Sequence, residues 1–219
     1  MKKIDILQKL ESSGIVAVIR RPNREEVLPL AKALVEGGVT TLEVTVDTPD
    51  VYGIIQELKQ ELGEHALVGA GTVLDAETAK AAIDAGAQFI FSPNYNKPLI
   101  EMANRYGVVS IPGVMTPSEM VDAYQAGADV VKVFPARAMG PSYIKDVQGP
   151  LGHIPMIPTG GINKDNAGEY IENGAIAVGA GGSLIDKNLL ADKDYQGLTE
   201  LARQFTERVQ SAREGGNNR

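Results

Sequence analysis

The 219-residue chain contains no cysteine. That excludes disulfides, thiolate nucleophiles and cysteine metal sites together. Histidine is nearly absent too: His65 and His153 fall in expected loops and form no ligand cluster, so no metal centre is expected. No G-x-G-x-x-G follows an expected strand and no P-loop occurs, which leaves a nicotinamide or nucleotide reaction without visible binding residues. No run of about 18 apolar residues is present, as a membrane-spanning helix would need. Positive charge is in deficit: a net charge of -7 and a pI near 5.0 make neither nucleic acid nor an anionic membrane a natural partner. The opening MKKIDILQKLESSG reads as a short amphipathic helix containing Glu11, not as a secretory signal, and the cytoplasm is the expected compartment.

What the chain does have is a recurring unit in which an amphipathic stretch ends in glycine and a short apolar run follows. It appears in EGGVTTLEV (36–44), DAGAQFIFS (84–92), RYGVVSIPG (105–113), QAGADVVKV (125–133) and ENGAIAVGA (172–180). A glycine just past a helix supplies the left-handed residue that ends it, and Gly38, Gly86, Gly107, Gly127 and Gly174 stand at that place. Adding IVAVIR, ALVGAGTV and PMIPTGG completes eight strand candidates, near 15–20, 41–46, 66–72, 89–92, 108–112, 130–134, 155–159 and 176–180. Units of roughly 20 to 25 residues, repeated eight times, are what a parallel (β/α)8 barrel requires. A doubly wound open sheet has the same local pattern, but the count of eight favours the barrel. The expectation is an α/β fold, a single (β/α)8 TIM barrel with an N-terminal helix, over residues 1–213. The tail at 214–219, EGGNNR, is expected to fray.

Active sites of such barrels lie at the C-terminal ends of the strands. In DVVKVFPA (129–136), alternation puts Val130, Lys132 and Phe134 inward and Val131 and Val133 outward. In TLEVTVD, Thr41, Glu43, Thr45 and Asp47 face inward, with Leu42, Val44 and Val46 outward. An ammonium buried without a partner is costly, and the usual response is a lowered pKa. Lys32, Lys59, Lys80, Lys97 and Lys145 all sit on polar faces of expected helices, so Lys132 alone is set against its own solvation. A buried structural ion pair between Glu43 and Lys132 is the plainer alternative. PTGGI (158–162) and GAGGS (179–183) end two adjacent strands, where Gly160, Gly161, Gly181, Gly182 and Ser183 are candidate phosphate-binding residues. Glycines let backbone N–H groups approach an anion, although a tight turn would use them equally. Thr72 and Pro93 end two further strands and are expected at the mouth.

With LEVTVDTP, GAGTV, SPN, IPGVMTPSE, VKVFPA, PTGGI and GGS in order, the chain resembles the 2-keto-3-deoxy-6-phosphogluconate (KDPG) and 4-hydroxy-2-oxoglutarate (KHG) aldolase family. The resemblance implies a Schiff-base lysine at Lys132, an acid/base residue at Glu43, and substrate contacts from Thr72, Pro93, Phe134, Gly160, Gly161 and Ser183. Thr159 would influence stereochemistry. It also implies a homotrimer of (β/α)8 barrels that needs no metal or cofactor and takes small 2-keto acids and sugar phosphates. The sequence departs from the pattern at Asp47, where some members carry an arginine that binds the substrate carboxylate. Arg20, ending the first strand, is the candidate replacement, because a guanidinium binds carboxylate bidentately. A surface ion pair of Arg20 with Asp47 or Glu25 is the competing account.

The function that follows is a class I aldolase cleaving KDPG to pyruvate and glyceraldehyde 3-phosphate, and/or KHG to pyruvate and glyoxylate. The alternatives are cleavage of 2-keto-3-deoxy-6-phosphogalactonate, a phosphate-binding isomerase or epimerase using Glu43 as base, and a sugar-phosphate binding protein without turnover.

Overall fold

The computed structural model describes residues 1–216. Helix α1 (Lys3–Ser13) leads into β1 (Ile15–Ile19), α2 (Val27–Glu36), β2 (Thr41–Thr45), α3 (Val51–Leu62) and β3 (Leu67–Gly71). Next come α4 (Ala76–Asp84), β4 (Phe89–Phe91), α5 (Lys97–Arg105), β5 (Val109–Ile111), β6 (Gly113–Val114) and α6 (Pro117–Gln125). The chain continues through β7 (Val131–Val133), α7 (Pro141–Leu151), β8 (Met156–Pro158), α8 (Ala167–Glu172), β9 (Val178–Ala180), α9 (Lys187–Ala191) and α10 (Tyr195–Gly216). All the glycines expected to end helices have positive φ: +91° at Gly38, +98° at Gly86, +69° at Gly107, +97° at Gly127 and +103° at Gly174. Of the expected tail, residues 214–216 belong to α10, and 217–219 lie outside the described residues. No described helix is long and apolar enough to cross a membrane.

Each of the eight expected strand positions carries a strand, but the closed eight-stranded barrel expected from the count does not form. The strands make two parallel sheets, one of six in the order β5-β4-β3-β2-β1-β9 and one of three in the order β6-β7-β8. Two local features break the ladder. Pro112, which has no N–H to donate, ends the expected fifth strand and separates β5 from the unanticipated β6, leaving one on each sheet. Between β8 and β9 the described links are a hydrogen bond from the Ile176 N–H to the Met156 carbonyl (3.1 Å) and a single bridge joining Thr159 to Gly179. The Thr159 side chain lies across Gly179 there, so close that a Cβ on the glycine would be 2.2 Å from Thr159 Oγ1.

Alternation along the strands sorts the apolar residues into two cores. Val16, Leu67, Phe89, Phe91, Val109, Ile111, Val130 and Ile157 point to the inside, while Leu42, Val44, Val131 and Val133 point outward beneath the helices. Gly69 leaves room for the Phe89 ring, which meets Phe91 edge-to-face at 6.3 Å. Helix α1 adds Ile6 and Leu10 to the inside core, packed among residues that begin the strands. It is fastened there by Lys3 Nζ, 2.8 Å from Asp129 Oδ2 and 2.6 Å from Asn104 Oδ1.

Leu10 is fully buried in this plug. Leu10→Ala should therefore lower stability by about 2–5 kcal/mol, from lost burial plus the cavity left behind. Urea unfolding measures this; a change below 1 kcal/mol would mean that α1 is not part of the cooperative fold.

Candidate active site

A cavity of about 560 Å³ opens at the ends of β1, β3, β7, β8 and β9, and Lys132 lies in its wall. The alternation of β7 carries Lys132 inward, where it is buried, with Nζ 4.6 Å from the centroid of the Phe91 ring and 4.9 Å from that of Phe134. Burial lowers its pKa from the ordinary lysine value; the Arg20 charge pushes the same way and Glu43 opposes both. Glu43, on β2, is wholly buried. Its carboxyl is raised by burial, with Lys132 and then Arg20 working against the rise.

Neither Glu43 oxygen accepts a hydrogen bond among the described residues. The structural ion pair that would have explained Lys132 without chemistry is therefore not formed. A desolvated amine in the cavity wall and an unpartnered carboxyl buried behind it are a pairing that structural ion pairs avoid and proton-transfer sites need. Room for the glutamate comes from Gly71, on the neighbouring strand: a Cβ there would lie 1.7 Å from Glu43 Oε1. Of GAGT only Thr72 was anticipated at the site; Gly71 pairs in register with Thr45, two residues beyond Glu43, and its nearness to the glutamate shows only in the folded sheet.

The remaining expected residues divide between two rims of the cavity. On one, Arg20, Thr72 and Pro93 contribute to the wall. Arg20 Nη2 donates to Thr72 Oγ1 at 2.9 Å, and Nη1 lies 3.2 Å from Asp47 Oδ2. The ion pair with Asp47 and the place in the wall thus coexist. Pro93 packs by its backbone on Gly113, where a Cβ would come within 2.2 Å of the proline carbonyl carbon. On the other rim lie Phe134, Thr159, Gly160, Gly161, Gly181, Gly182 and Ser183. Gly160 and Gly161 have φ of +94° and +86°, a region that only glycine enters without strain. The N–H groups of Gly161, Gly182 and Ser183 donate to no backbone acceptor among the described residues, and Ser183 Oγ donates to the Ile162 carbonyl, tying the two loops together.

Every residue expected at the site lines this cavity except Glu43, which is buried and does not reach its surface. Val18, Ile162, Asn163 and Gly179 also line it without having been anticipated. Asn163 Oδ1 accepts the N–H groups of Asp165 (2.9 Å) and Asn166 (3.1 Å), which turns its amide nitrogen away from the backbone it caps. Its signal was local, an asparagine opening a turn after PTGGI. The two histidines follow α3 and α7, at the opposite ends of the strands, and the His153 ring meets Tyr124 edge-to-face at 5.4 Å. Among the described residues no three His, Cys, Asp or Glu side chains are grouped as metal ligands.

Comparison with known proteins agrees with this geometry. A family model described as KDPG and KHG aldolase matches residues 6–201. The KHG/KDPG aldolase of Escherichia coli (strain K12) is 36% identical over 199 residues, covering 90% of this chain and 93% of that protein. The 2-dehydro-3-deoxy-phosphogluconate aldolase of Treponema pallidum (strain Nichols) is 34% identical over 202 residues, covering 92% and 96%. Among solved structures, the KDPG aldolase from Legionella pneumophila, with pyruvate captured at low pH as a covalent carbinolamine intermediate, has a TM-score of 0.82 at 32% identity, covering 89% of this chain and 94% of that one. With the match reaching from α1 into α10, the chain belongs to the KDPG and KHG aldolase family and is a lyase of the class I, Schiff-base kind.

Proposed function

We propose that this aldolase cleaves KDPG to pyruvate and glyceraldehyde 3-phosphate, with KHG, giving pyruvate and glyoxylate, as a second substrate of the same site. Lys132 is the nucleophile and Glu43 the acid and base. The observation that carries this reading is a buried Lys132 amine in the wall of a cavity, accompanied by a buried carboxyl with no hydrogen-bond partner. An amine attacks a carbonyl only when neutral, and the desolvation that depresses Lys132 supplies that form. Loss of water from the carbinolamine gives an iminium. Cleavage of the C3–C4 bond sends its electron pair into this sink, leaving an enamine on Lys132, while the C4 hydroxyl proton goes to a base. Protonation of the enamine and hydrolysis then release pyruvate.

Glu43 suits both proton steps because burial raises its carboxyl toward the range where it can hold or give a proton. Arg20 takes the substrate carboxylate. The N–H groups of Gly161, Gly182 and Ser183 take the phosphate, so that binding energy far from the breaking bond orients it. Thr72, Pro93, Phe134 and Thr159 shape the space between. No cofactor is needed, and a homotrimer in the cytoplasm, which the resemblance implies, belongs to the same proposal.

Borohydride reduction with pyruvate should fix a pyruvyl adduct on the peptide bearing Lys132 and none on Lys132→Arg; an unlabelled folded protein would sink the scheme. Glu43→Gln should keep the fold and the adduct but lower kcat by about 100-fold or more, the usual scale for a positioned acid/base. An active Glu43→Gln enzyme would remove that residue from the mechanism.

The pH behaviour follows from the same burial. Lys132 has a folded pKa below its unfolded value, so between the two the folded chain binds fewer protons and stability rises with pH. Lys132→Met should erase that contribution, so its melting temperature should gain on that of the wild type as the pH falls. A difference that does not change with pH would mean that the ammonium is well accommodated.

A further inference from the structure

The proposed chemistry leaves Asp47 unused, although it stands two residues past the end of β2 at the rim of the cavity. Its Oδ2 accepts from Arg20 Nη1 (3.2 Å) and pairs with Arg21, whose Nε lies 2.8 Å away, while its Oδ1 is buried and accepts nothing among the described residues. The other terminal nitrogen of Arg20 donates to Thr72 Oγ1 at 2.9 Å. The guanidinium is thus gripped at both terminal nitrogens, from the end of β2 and from the end of β3, and forms part of the cavity wall.

The backbone around this grip is strained. Arg21 and Thr72 have φ of +49° and +59°, a region that side chains seldom enter and that is least favourable for a β-branched residue. Thr48 Oγ1 accepts the Arg21 N–H at 3.1 Å and helps to hold the first of these turns. Burial works to raise the Asp47 carboxyl, but the Thr45 hydroxyl and the two guanidiniums outweigh it and hold Asp47 below the ordinary carboxylate value. Asp47 therefore stays charged at neutral pH. Arg20 in turn acts on both reacting groups, opposing the rise of Glu43 and adding to the depression of Lys132.

We propose that Asp47 is a positioning residue: together with Thr72 it fixes the Arg20 guanidinium in the cavity wall, so that the arginine meets the keto-acid carboxylate already oriented. This rests on the reading of Arg20 as the carboxylate-binding group. It gives the departure at Asp47 a task, since an aspartate cannot bind a carboxylate but can aim an arginine at one. Ordinary exposed ion pairs contribute little. Here the pairing matters because a guanidinium fixed in advance loses less freedom when the substrate arrives.

The experiment is steady-state kinetics on Arg20→Ala, Asp47→Ala and the double variant, with KDPG. Arg20→Ala should raise KM. Asp47→Ala should raise it roughly tenfold with kcat within about twofold, the size of one coupled charged contact. In the double variant KM should match that of Arg20→Ala alone, because Asp47 has nothing left to aim, and Asp47→Asn should recover part of the loss by keeping an acceptor oxygen. Borohydride trapping at saturating pyruvate in each variant verifies a folded site. Additive losses in the double variant, or an unchanged KM in Asp47→Ala beside a raised one in Arg20→Ala, would overturn the positioning role and leave Arg20 in place. An unchanged KM in Arg20→Ala would overturn both readings.

Discussion

A lysine amine largely withdrawn from water is held on β7 by the same alternation that buries the valines on either side of it. Lys132 cannot turn outward without exchanging places with Val131 and Val133, which would expose apolar side chains and bury a charge beneath the helices. Its inward position is therefore enforced by the outer core. The cost of that position is a lowered pKa, and a lowered pKa is what turns a lysine from a surface charge into an amine able to attack a carbonyl. Phe91 and Phe134 soften the cost by offering ring faces to Nζ without supplying a counter-ion that would restore the charged form.

The surroundings of Glu43 apply the same constraint with the opposite sign. Burial favours its neutral form, and Gly71 admits its carboxyl where any larger residue would collide with it. Small residues on one strand repeatedly make space for large ones on the next: Gly69 beneath Phe89, Gly71 beneath Glu43, Gly179 beneath Thr159. These pairings serve packing and chemistry together. Gly69 fits the inside core beside α1, Gly71 makes room for the buried carboxyl, and Gly179 lines the cavity.

Much of the fold was legible because its signals are local. Glycines at the ends of amphipathic stretches marked the helix termini, and period-two alternation sorted Val130, Lys132 and Phe134 from Val131 and Val133. The closed barrel was the error. Counting strands cannot tell whether neighbouring strands share a continuous ladder, and Pro112 interrupts one by lacking a donor, while only a short link joins β8 to β9. Asn163 and Gly71 escaped notice as well. Gly71 matters through a space that sequence distance conceals, and Asn163 through a cavity wall that its local turn signal does not reveal.

Sequence alone determined that Lys132 and Glu43 face inward, that the glycine-rich loops lie at strand ends, and that cysteine chemistry is excluded. Those properties depend on residue type and on the two-residue repeat of an extended chain, which holds wherever the strand is placed. Tertiary structure decided the rest. It set which strands pair, left Glu43 buried without a hydrogen-bond partner, and put Asp47 and Thr72 at the two ends of the Arg20 guanidinium. Those relations join residues that lie 27 and 52 positions from Arg20 along the chain. They arise from strand register and sheet curvature, which bring strand ends together at one rim and which no local pattern encodes.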